Sequence, residues 1–428
     1  MATPDASDTS LPAPARKHLE EIAGADIVVG IPSFNNAETV GGVVIAAEVG
    51  LRKLFRGKRS VICVSDGGSV DETRDVAVEA GVGKRAEALL VPPDSPEPAK
   101  LVLEYGGPPG KGSALRAIFE AAGDLGATTC AVMDADLRSI TPYWIDRLLG
   151  PVVDHGYEFV APLYIRHMHD GTITNAVAYP LTAALYGLRI RQPIGGEFCV
   201  SGEVARGFAE ADDWDQDVSR FGVDVWMTTS SLAEGRRICQ TFLGAKVHDP
   251  KDPGADLAPM FRQVVGTLFR LAVRHHDRWV DVGKAVAPPT FGFRSESTPE
   301  PLDVSVDLCR RGHREGMERW EPLWRRVLST EALMAAQGGG MEPREWITAL
   351  YDYLAAFAGE AESRTELLDS LIPLYFARTA TFVEETTGAP AVKAELLVEA
   401  LVDTALRLKP HLLERWAAVP ASGTLSPS

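Results

Sequence analysis

Two aspartates, Asp134 and Asp136, follow an apolar run at residues 129–133 and are separated by one alanine. Carboxylates at positions i and i+2 beyond a strand end can present oxygens to one hard divalent cation. Such a cation can in turn bridge the phosphates of a nucleotide ligand. The pair therefore predicts a site for Mg²⁺ or Mn²⁺, although the same tripeptide also arises as a helix cap.

A lysine, Lys111, stands between Gly110 and Gly112 at the start of a predicted helix. Backbone amides and the helix dipole favour a phosphate at such a position, and the lysine adds a positive charge. The segment is not a Walker A loop, because residue 105 is a tyrosine and a glycine follows the lysine. It predicts a phosphate contact, and the alternative is a turn with a solvated lysine.

Three further segments carry groups that could bind or react. His248 follows a short strand-like segment, and a neutral imidazole is an acceptable further ligand for a manganese-like ion. Gly195 and Gly196 place Glu197 in a loop that a sugar could approach closely. Asp224 stands at the start of an apolar helix. The alternatives are a structural or exposed histidine, a tight turn and a helix N-terminal charge.

Alternating strands and helices must position these groups. Short β-branched runs predict strands at residues 27–32, 60–64 and 129–133, with helices at 38–49, from 71 and from 113. Residues 91–112, rich in proline and glycine, are interpreted as a connection. The order βαβαβ favours a mostly parallel sheet, in which ligands bind beyond the carboxyl ends of the strands. The polar residues that follow each strand are therefore the first candidates for a site.

The rest of the chain predicts a continuing substrate-binding half and then a helical part. Beyond residue 260, apolar residues recur at three- and four-residue spacing in 260–275, 315–328, 343–357 and 391–408. Residues 285–301 contain four prolines and predict a linker or long loop. We expect a flexible leader at 1–22, a catalytic domain at 23–285 and a helical C-terminal domain at 286–428.

Composition limits the classes of function. The 428 residues are 45% hydrophobic and carry a net charge of −16, which disfavours general binding to nucleic acid or anionic membrane. Five cysteines at wide spacing form no CxxC pair, and no uninterrupted apolar run reaches the length of a membrane span. The N-terminal residues lack a signal-peptide layout. We expect a cytoplasmic enzyme without a membrane span and without a nucleic-acid partner.

Taken in order, the motifs resemble those of nucleotide-sugar glycosyltransferases with the GT-A fold, a Rossmann-like α/β fold. More narrowly they resemble the retaining glucosylglycerate and mannosylglycerate synthases and their 3-phosphoglycerate-using relatives. The likeness covers roughly residues 25–270. The motifs that carry it are IPSFNN at 31–36, SDGGS at 65–69, GKG at 110–112, DAD at 134–136, QPIGGE at 192–197, FGVD at 221–224 and His248.

The resemblance implies a role for each matching position. It implies that Asp136 and His248 ligate Mg²⁺ or Mn²⁺, and that Glu197 and Asp224 orient the donor sugar or the acceptor hydroxyl. It also implies a GDP- or UDP-hexose donor. The positions that would bind this nucleotide sugar are Pro32, Ser33, Phe34, Asn35, Asn36, Asp66, Lys111, Asp134, Gly195 and Gly196.

The acceptor loop departs from the resemblance. Residues 171–174 are similar to the Gly-Arg-Val-Thr of the phosphoglycerate enzymes, but Thr172 stands where their arginine would bind phosphate. Thr174 can still hydrogen-bond a glycerate carboxylate, whereas the guanidinium contact is missing. We therefore expect free glycerate as acceptor, with Arg166 or His169 as substitutes for the arginine if 3-phosphoglycerate is used.

Other functions remain open at this point. In an inverting, family-2-like transferase Asp224 would be a general base, and in a non-catalytic GT-A module the helical tail would bind a partner. A nucleotidyltransferase is disfavoured, because its glycine-rich N-terminal signature is missing. The resemblance also implies that the helices after residue 290 support the active site or form a subunit contact, and we expect a homodimer.

Overall fold

The computed structural model describes residues 9–81, 91–92, 94–247, 257–294, 299, 302, 304–359 and 361–419. The chain divides into two compact units. The first comprises Met1–Ile165, Ile194–Asp249 and Pro288–Pro299, and the second comprises Arg166–Pro193, Pro250–Ala287 and Glu300–Ser428.

The first unit is built on one sheet of eight strands in the order β3-β2-β1-β4-β6-β5-β7-β8. Only β6 runs antiparallel to its neighbours β4 and β5, so the sheet is mostly parallel, as expected. The strands are β1 Ile27–Ser33, β2 Ser60–Asp66, β3 Ala99–Glu104, β4 Thr129–Val132, β5 Phe159–Ile165, β6 Phe198–Ser201, β7 Ile238–Ala245 and β8 Thr290–Phe291.

The helices of the first unit connect and cover these strands, and the second unit is helical. The first unit contains α1–α5, α7 and α8, and the second contains α6 and α9–α16 together with one turn of π-helix at Thr174–Ala178. In chain order the helices are α1 Ala13–Ile22, α2 Val40–Leu54, α3 Thr73–Glu79, α4 Lys111–Asp124, α5 Pro142–Val153, α6 Tyr179–Tyr186, α7 Gly202–Glu210, α8 Val223–Ala233, α9 Ala258–Arg274, α10 His276–Trp279, α11 Val306–Val327, α12 Thr330–Gly338, α13 Pro343–Ala358, α14 Arg364–Thr386, α15 Ala391–Arg407 and α16 Lys409–Ala417.

Strand register brings distant polar segments to one edge of the sheet. The parallel pairs Ser33 with Asp66 and Gly30 with Val132 align the carboxyl ends of β1, β2 and β4. Because β6 is antiparallel, it begins at this edge, where Phe198 pairs with Val132. Strands β5 and β7 also end together there. The loops that follow β1, β2, β4 and β7 therefore meet the loop that precedes β6.

The strands form because their residues are apolar and are covered on both faces. Every residue of β4 is buried, and so are the central residues of β1 and β2. On one face, Val43, Val44 and Leu51 of α2 join Trp144 and Ile145 of α5 in the apolar core. A sheet buried on both faces reads as continuous apolar runs, which is the pattern in the sequence.

Some sequence expectations differ from the structure. A strand, β3, lies inside the segment interpreted as a connection, because its six residues are flanked by prolines and glycines that hide it. Residues 13–22 of the expected flexible leader form α1, where Leu19 is buried, while residues 1–8 lie outside the described residues. The strand-like segment expected before His248 is β7, which ends at Ala245. The compact units also do not separate at residue 285, because residues 166–193 pack with the C-terminal helices.

The second unit is held together by contacts between the 166–193 segment and the helices after residue 300. Trp346 of α13 donates its indole N–H to the backbone carbonyl of Ala176 at 2.7 Å, and Arg189 pairs with Glu399 at 2.7 Å. In the described part of the chain, no helix has the length and apolarity needed to cross a membrane. All five cysteines are buried, and none of them forms a disulfide bond.

Candidate functional site

The loop after β1 is fastened to the loop after β2 by side-chain hydrogen bonds. Asn35 has a positive φ of 53°, a conformation that asparagine tolerates better than most residues. Its backbone N–H donates to the Ser69 hydroxyl at 2.8 Å, and its side-chain oxygen accepts from the Val70 N–H at 3.0 Å. The Asn36 N–H donates to the Thr73 hydroxyl at 2.7 Å. The predicted nucleotide-binding residues 32–36 are thus held in one fixed shape.

Asp66, at the end of β2, organises these two loops. It is fully buried, and it accepts hydrogen bonds from the Ser33 hydroxyl at 3.1 Å and from the backbone N–H groups of Gly68 and Ser69 at 3.0 and 2.8 Å. Both carboxylate oxygens are therefore engaged within the protein. The structure gives Asp66 a role in shaping the loop, and its expected contact with a base remains a prediction.

An exposed aromatic ring lies beside these loops. Phe34 is 58% exposed, and its side chain lies near Gly67, where an added Cβ would be 3.3 Å from the ring. The Tyr105 hydroxyl would be 3.1 Å from the same Cβ. An exposed ring next to a polar loop is a suitable surface for stacking a nucleobase.

Lys111 opens α4, as expected, but the first amides of the helix are not available to a phosphate. The N–H of Gly110 donates to the Tyr105 hydroxyl at 2.9 Å. The N–H groups of Gly112 and Ser113 donate to backbone carbonyls of the 219–220 segment at 3.2 and 3.0 Å. The structure therefore corrects the expectation that these backbone amides bind a phosphate. The lysine side chain is the group that this helix start can offer to an anion.

Five charged side chains form an alternating series at the sheet edge, which we call the charge chain: Glu197, Lys246, Asp134, Lys111 and Asp224. Lys111 Nζ lies 2.8 Å from Asp134 Oδ1 and 3.1 Å from Asp224 Oδ2. Lys246 Nζ lies 3.1 Å from Asp134 Oδ2 and 2.9 and 3.0 Å from the two Glu197 oxygens. Asp134 thus carries a lysine on each of its oxygens.

The charge chain separates the pKa values of its carboxyl groups. Burial alone would raise the pKa of Asp134, but Lys111 and Lys246 hold it well below its usual value. Burial raises the pKa of Asp224 and raises that of Glu197 well above the usual value, and the lysines offset these shifts only in part. Burial would lower the pKa of Lys111, but Asp134 and Asp224 raise it. Carboxyl groups separated in this way can take different roles in proton handling.

Glu197 differs from its expected role in one respect. No part of it is exposed, and besides its two bonds to Lys246 it accepts a short hydrogen bond from the Tyr164 hydroxyl. By contrast, the Asp134 side chain is 22% exposed. Asp134 is therefore the most accessible carboxylate of the charge chain, ahead of Asp224, whose side chain is 11% exposed. Direct contact of Glu197 with a sugar remains a prediction that this burial does not favour.

Gly196 allows the charge chain to close. Its φ is +95°, and a Cβ at this position would lie 2.3 Å from Asp134 Oδ2 and 2.9 Å from Lys246 Nζ. The neighbouring Gly195 carbonyl accepts a hydrogen bond from Lys246 Nζ at 2.9 Å. The double glycine read in the sequence therefore permits close packing of backbone against two charged groups.

Asp136 fits a divalent cation. Its Oδ1 is buried and has no hydrogen-bond partner in the described part of the chain, which is the state of an oxygen left for a ligand outside the protein. The N–H of Arg138 donates to the Val247 carbonyl at 3.0 Å, and the Val247 N–H donates to the Ser139 hydroxyl at 3.0 Å. The chain just before His248 thus runs beside the chain just after Asp136.

His248 lies outside the described residues. Among the residues that are described, no three His, Cys, Asp or Glu side chains are arranged to hold a metal ion. The pairing of Asp136 with His248 therefore remains a prediction.

The predicted acceptor residues all lie in the second unit, on a short segment that packs against the C-terminal helices. Arg166 lies 3.6 Å from Asp170, and Thr172 and Thr174 are both buried. The Thr172 and Tyr375 hydroxyls are hydrogen-bonded at 2.5 Å. Thr172 is therefore engaged with α14, which the sequence did not indicate.

Comparison with known proteins identifies the family. No protein-family model matches the chain. Over 267 residues the chain is 31% identical to glucosyl-3-phosphoglycerate synthase of Mycolicibacterium smegmatis, an alignment that spans 58% of this chain and 78% of that protein. The chain belongs to the glucosyl-3-phosphoglycerate synthase family. It is therefore a hexosyltransferase that uses a nucleotide sugar, and its sheet order agrees with the expected GT-A fold and helical C-terminal part.

Solved structures of the Mycobacterium tuberculosis glucosyl-3-phosphoglycerate synthase are also similar, at 24% identity. The complex with Mn²⁺, UDP and glucosyl-3-phosphoglycerate has a TM-score of 0.44 and covers 60% of this chain and 83% of that chain. The complex with Mg²⁺ and UDP also has a TM-score of 0.44 and covers 62% and 86%. Because both scores are low, the assignment to the glucosyl-3-phosphoglycerate synthase family rests on the sequence relationship.

The sequence did not single out two residues of the charge-chain region, Lys246 and Tyr164. Lys246 lies directly after β7, and Tyr164 lies within β5. Lys246 meets Asp134 across 112 positions of sequence, and such a contact leaves no local spacing to find. The one available signal was its place directly after a strand that ends at the ligand-binding edge of the sheet.

Proposed function

We propose that this protein transfers glucose from UDP-glucose to 3-phosphoglycerate, with retention of the anomeric configuration and with Mg²⁺ or Mn²⁺. The sequence relationship to the Mycolicibacterium smegmatis enzyme supports the donor sugar and acceptor. The charge chain supports the place of transfer, because it lies at the carboxyl edge of the sheet, where ligands bind in such folds, and contains a lysine that could pair with a donor phosphate. The uridine nucleotide and the metal ions are those in the complexes of the Mycobacterium tuberculosis enzyme.

The residues of the first unit would hold the donor. The loop at residues 32–36 would bind base and ribose, with Phe34 stacking against the base. Lys111 would leave Asp224 and bind the diphosphate, while Asp134 would face the ribose or the sugar. Asp136, with His248, would hold the divalent ion, which supplies charge neutralisation to the departing diphosphate.

Transfer would follow same-face attack. The acceptor hydroxyl oxygen bonds to the anomeric carbon as its bond to the diphosphate breaks, and the hydroxyl proton passes to the departing phosphate oxygen. Asp224 would orient the acceptor hydroxyl, because release of Lys111 to the donor would free the Oδ2 of Asp224. Oδ1 of Asp224 is buried and already without a hydrogen-bond partner in the described part of the chain.

Free glycerate is the second candidate acceptor. Thr172 supports it, because a threonine that is bonded to Tyr375 cannot offer the bidentate phosphate contact of an arginine. Arg166, or His169 in the same segment, would replace that contact if 3-phosphoglycerate is the acceptor. Use of 3-phosphoglycerate therefore requires a cationic side chain at this loop to bind the phosphate, whereas use of glycerate does not.

A panel of donors and acceptors tests the proposal. UDP-glucose, GDP-glucose and GDP-mannose are each offered with 3-phosphoglycerate or glycerate, in Mn²⁺, in Mg²⁺ and in EDTA. We expect turnover with UDP-glucose and 3-phosphoglycerate in either metal, a large loss in EDTA, and an α-linked product by NMR. A higher kcat/KM with glycerate would move the assignment to the second candidate. An inverted product would favour the family-2-like mechanism with Asp224 as base.

Calorimetry separates these outcomes from a non-catalytic module. Titration with UDP-glucose, with and without Mn²⁺, should show binding that the metal strengthens. No binding of any nucleotide sugar would refute the proposal and favour a partner-binding module. The expected homodimer remains a prediction, and light scattering coupled to size exclusion checks it.

A further inference from the structure

The charge chain contains a lysine whose task the transfer reaction leaves open. Lys246 is 9% exposed, and its Nζ lies within hydrogen-bond distance of four oxygens, on Asp134, Gly195 and Glu197. An ammonium group has three N–H donors, so these contacts occupy it fully. Lys246 is therefore not a group that can move to the donor, as Lys111 can.

The partners of Lys246 differ in whether a ligand can reach them. On one side lies Glu197, which is fully buried and is also bonded to Tyr164. On the other side lie Asp134, which is partly exposed, and the Gly195 carbonyl, which belongs to the loop before β6. Lys246 thus joins a buried anchor to the part of the charge chain that a donor sugar can touch.

We propose that Lys246 is a positioning residue for donor binding, which holds Asp134 and the loop at Gly195 and Gly196 in place from the buried pair of Glu197 and Tyr164. This inference rests on the proposed function. In it Glu197 acts as an anchor rather than as a catalytic residue. Asp134 acts on the donor, and Lys246 acts through Asp134.

The rival explanation is that Lys246 only neutralises the buried charge of Glu197. Breaking a buried ion pair on one side leaves an uncompensated charge and destabilises the protein, whereas replacing both partners by neutral groups is often nearly neutral. Stability alone therefore cannot separate the two explanations. Donor affinity and turnover can, because they depend on Asp134 and not on the charge of Glu197.

The experiment compares Lys246→Met, Glu197→Gln and the double variant. Lys246→Met should lower the unfolding temperature and reduce kcat/KM for UDP-glucose by about 100-fold, the size expected when a site group is misplaced by about 1 Å. Glu197→Gln keeps one oxygen for Lys246 while removing the charge, and should lower kcat/KM by much less than Lys246→Met does. The double variant should recover the unfolding temperature but not the kcat/KM or the affinity for UDP-glucose measured by calorimetry.

Two results would overturn the inference. Recovery of both stability and UDP-glucose affinity in the double variant would make Lys246 a counter-charge only. A loss in Glu197→Gln as large as that in Lys246→Met would make Glu197 the catalytic group. If the double variant does not fold, the UDP-glucose affinity of Lys246→Met, measured by calorimetry below its unfolding temperature, still decides between the two explanations: wild-type affinity would make Lys246 a counter-charge only.

A second cycle tests whether Lys246 acts through Asp134. Adding Lys246→Met and Glu197→Gln to Asp134→Asn should cause little further loss of UDP-glucose affinity. Additive losses would contradict the inference. Calorimetry needs no acceptor, so these affinities test the role of Lys246 separately from the proposed function. Failure of the proposed function would instead show as wild-type protein that binds UDP-glucose but transfers glucose to neither acceptor.

Discussion

The substitution Gly196→Ala should disable the donor site while leaving the fold in place. The new Cβ would lie 2.3 Å from Asp134 Oδ2 and 2.9 Å from Lys246 Nζ. Ordinary contact distances between non-bonded heavy atoms are about 3.5 Å, so the carboxylate must move by about 1 Å. It cannot do so without lengthening its hydrogen bonds to Lys246 and Lys111.

The cost follows from these contacts. A non-glycine residue at φ +95° costs about 1–3 kcal/mol, and weakening one charge-assisted hydrogen bond costs about 1.5–3 kcal/mol. We expect destabilisation of about 3–5 kcal/mol. Displacement of Asp134 by about 1 Å should lower kcat/KM for UDP-glucose by about 100-fold.

The assay pairs this variant with Gly207→Ala in α7. A Cβ on Gly207 would meet nothing within 4 Å, and alanine favours a helix over glycine by about 0.5–1 kcal/mol. Gly207→Ala should therefore keep full activity and unfold at an equal or slightly higher temperature. Thermal unfolding followed by circular dichroism and UDP-glucose turnover measure both. Gly196→Ala with kcat/KM and unfolding temperature equal to those of Gly207→Ala would refute the close packing described at the charge chain.

Three further variants test other parts of the molecule. Asp136→Asn should remove the stimulation by Mn²⁺ in a turnover assay without lowering the unfolding temperature; stimulation equal to wild type would exclude Asp136 as a ligand. Tyr375→Phe leaves the buried Thr172 hydroxyl without its partner, which costs about 1–3 kcal/mol, and should raise KM for the acceptor but not for UDP-glucose. Lys409 in α16 has its pKa lowered by burial from 10.5 to about 8. Between pH 8 and 10.5 the folded state then binds fewer protons than the unfolded state, so the contribution of Lys409 to stability should increase as the pH rises. The unfolding temperatures of Lys409→Met should lack this increase.

The sequence predicted the parts of the fold that depend on local pattern. Strands β1, β2 and β4 were found from apolar runs, and the rule that ligands bind beyond their carboxyl ends selected Asp134 and Asp136 before any contact was known. Strand β3 was missed, because its six residues are flanked by prolines and glycines and are too few to show a clear strand pattern. Local pattern also could not show that residues 166–193 pack with helices some 200 positions later, as Thr172 does with Tyr375.

The site shows the same division. From the sequence, acids and a lysine beside glycines were selected as groups suited to an anionic donor with a metal ion, and the structure brings Asp134, Lys111 and Asp224 together in the charge chain. The burial of these residues could not be predicted, because the exposure of a carboxyl group is set by neighbours from other strands. Glu197 and Asp134 look equally suited in the sequence, yet one is enclosed by Lys246 and Tyr164 while the other is partly open.

The attachment of residues 166–193 to the C-terminal helices has an evolutionary consequence. Thr172 meets Tyr375 of α14, Ala176 meets Trp346 of α13, and Arg191 forms a two-point ion pair with Glu395 of α15. In the proposed function residues 166–174 bind the acceptor, so a substitution in those helices should alter which acceptor is chosen without touching any donor residue. Within this lineage, acceptor preference should be inherited together with the C-terminal helices, and exchanging those helices between relatives should carry it along.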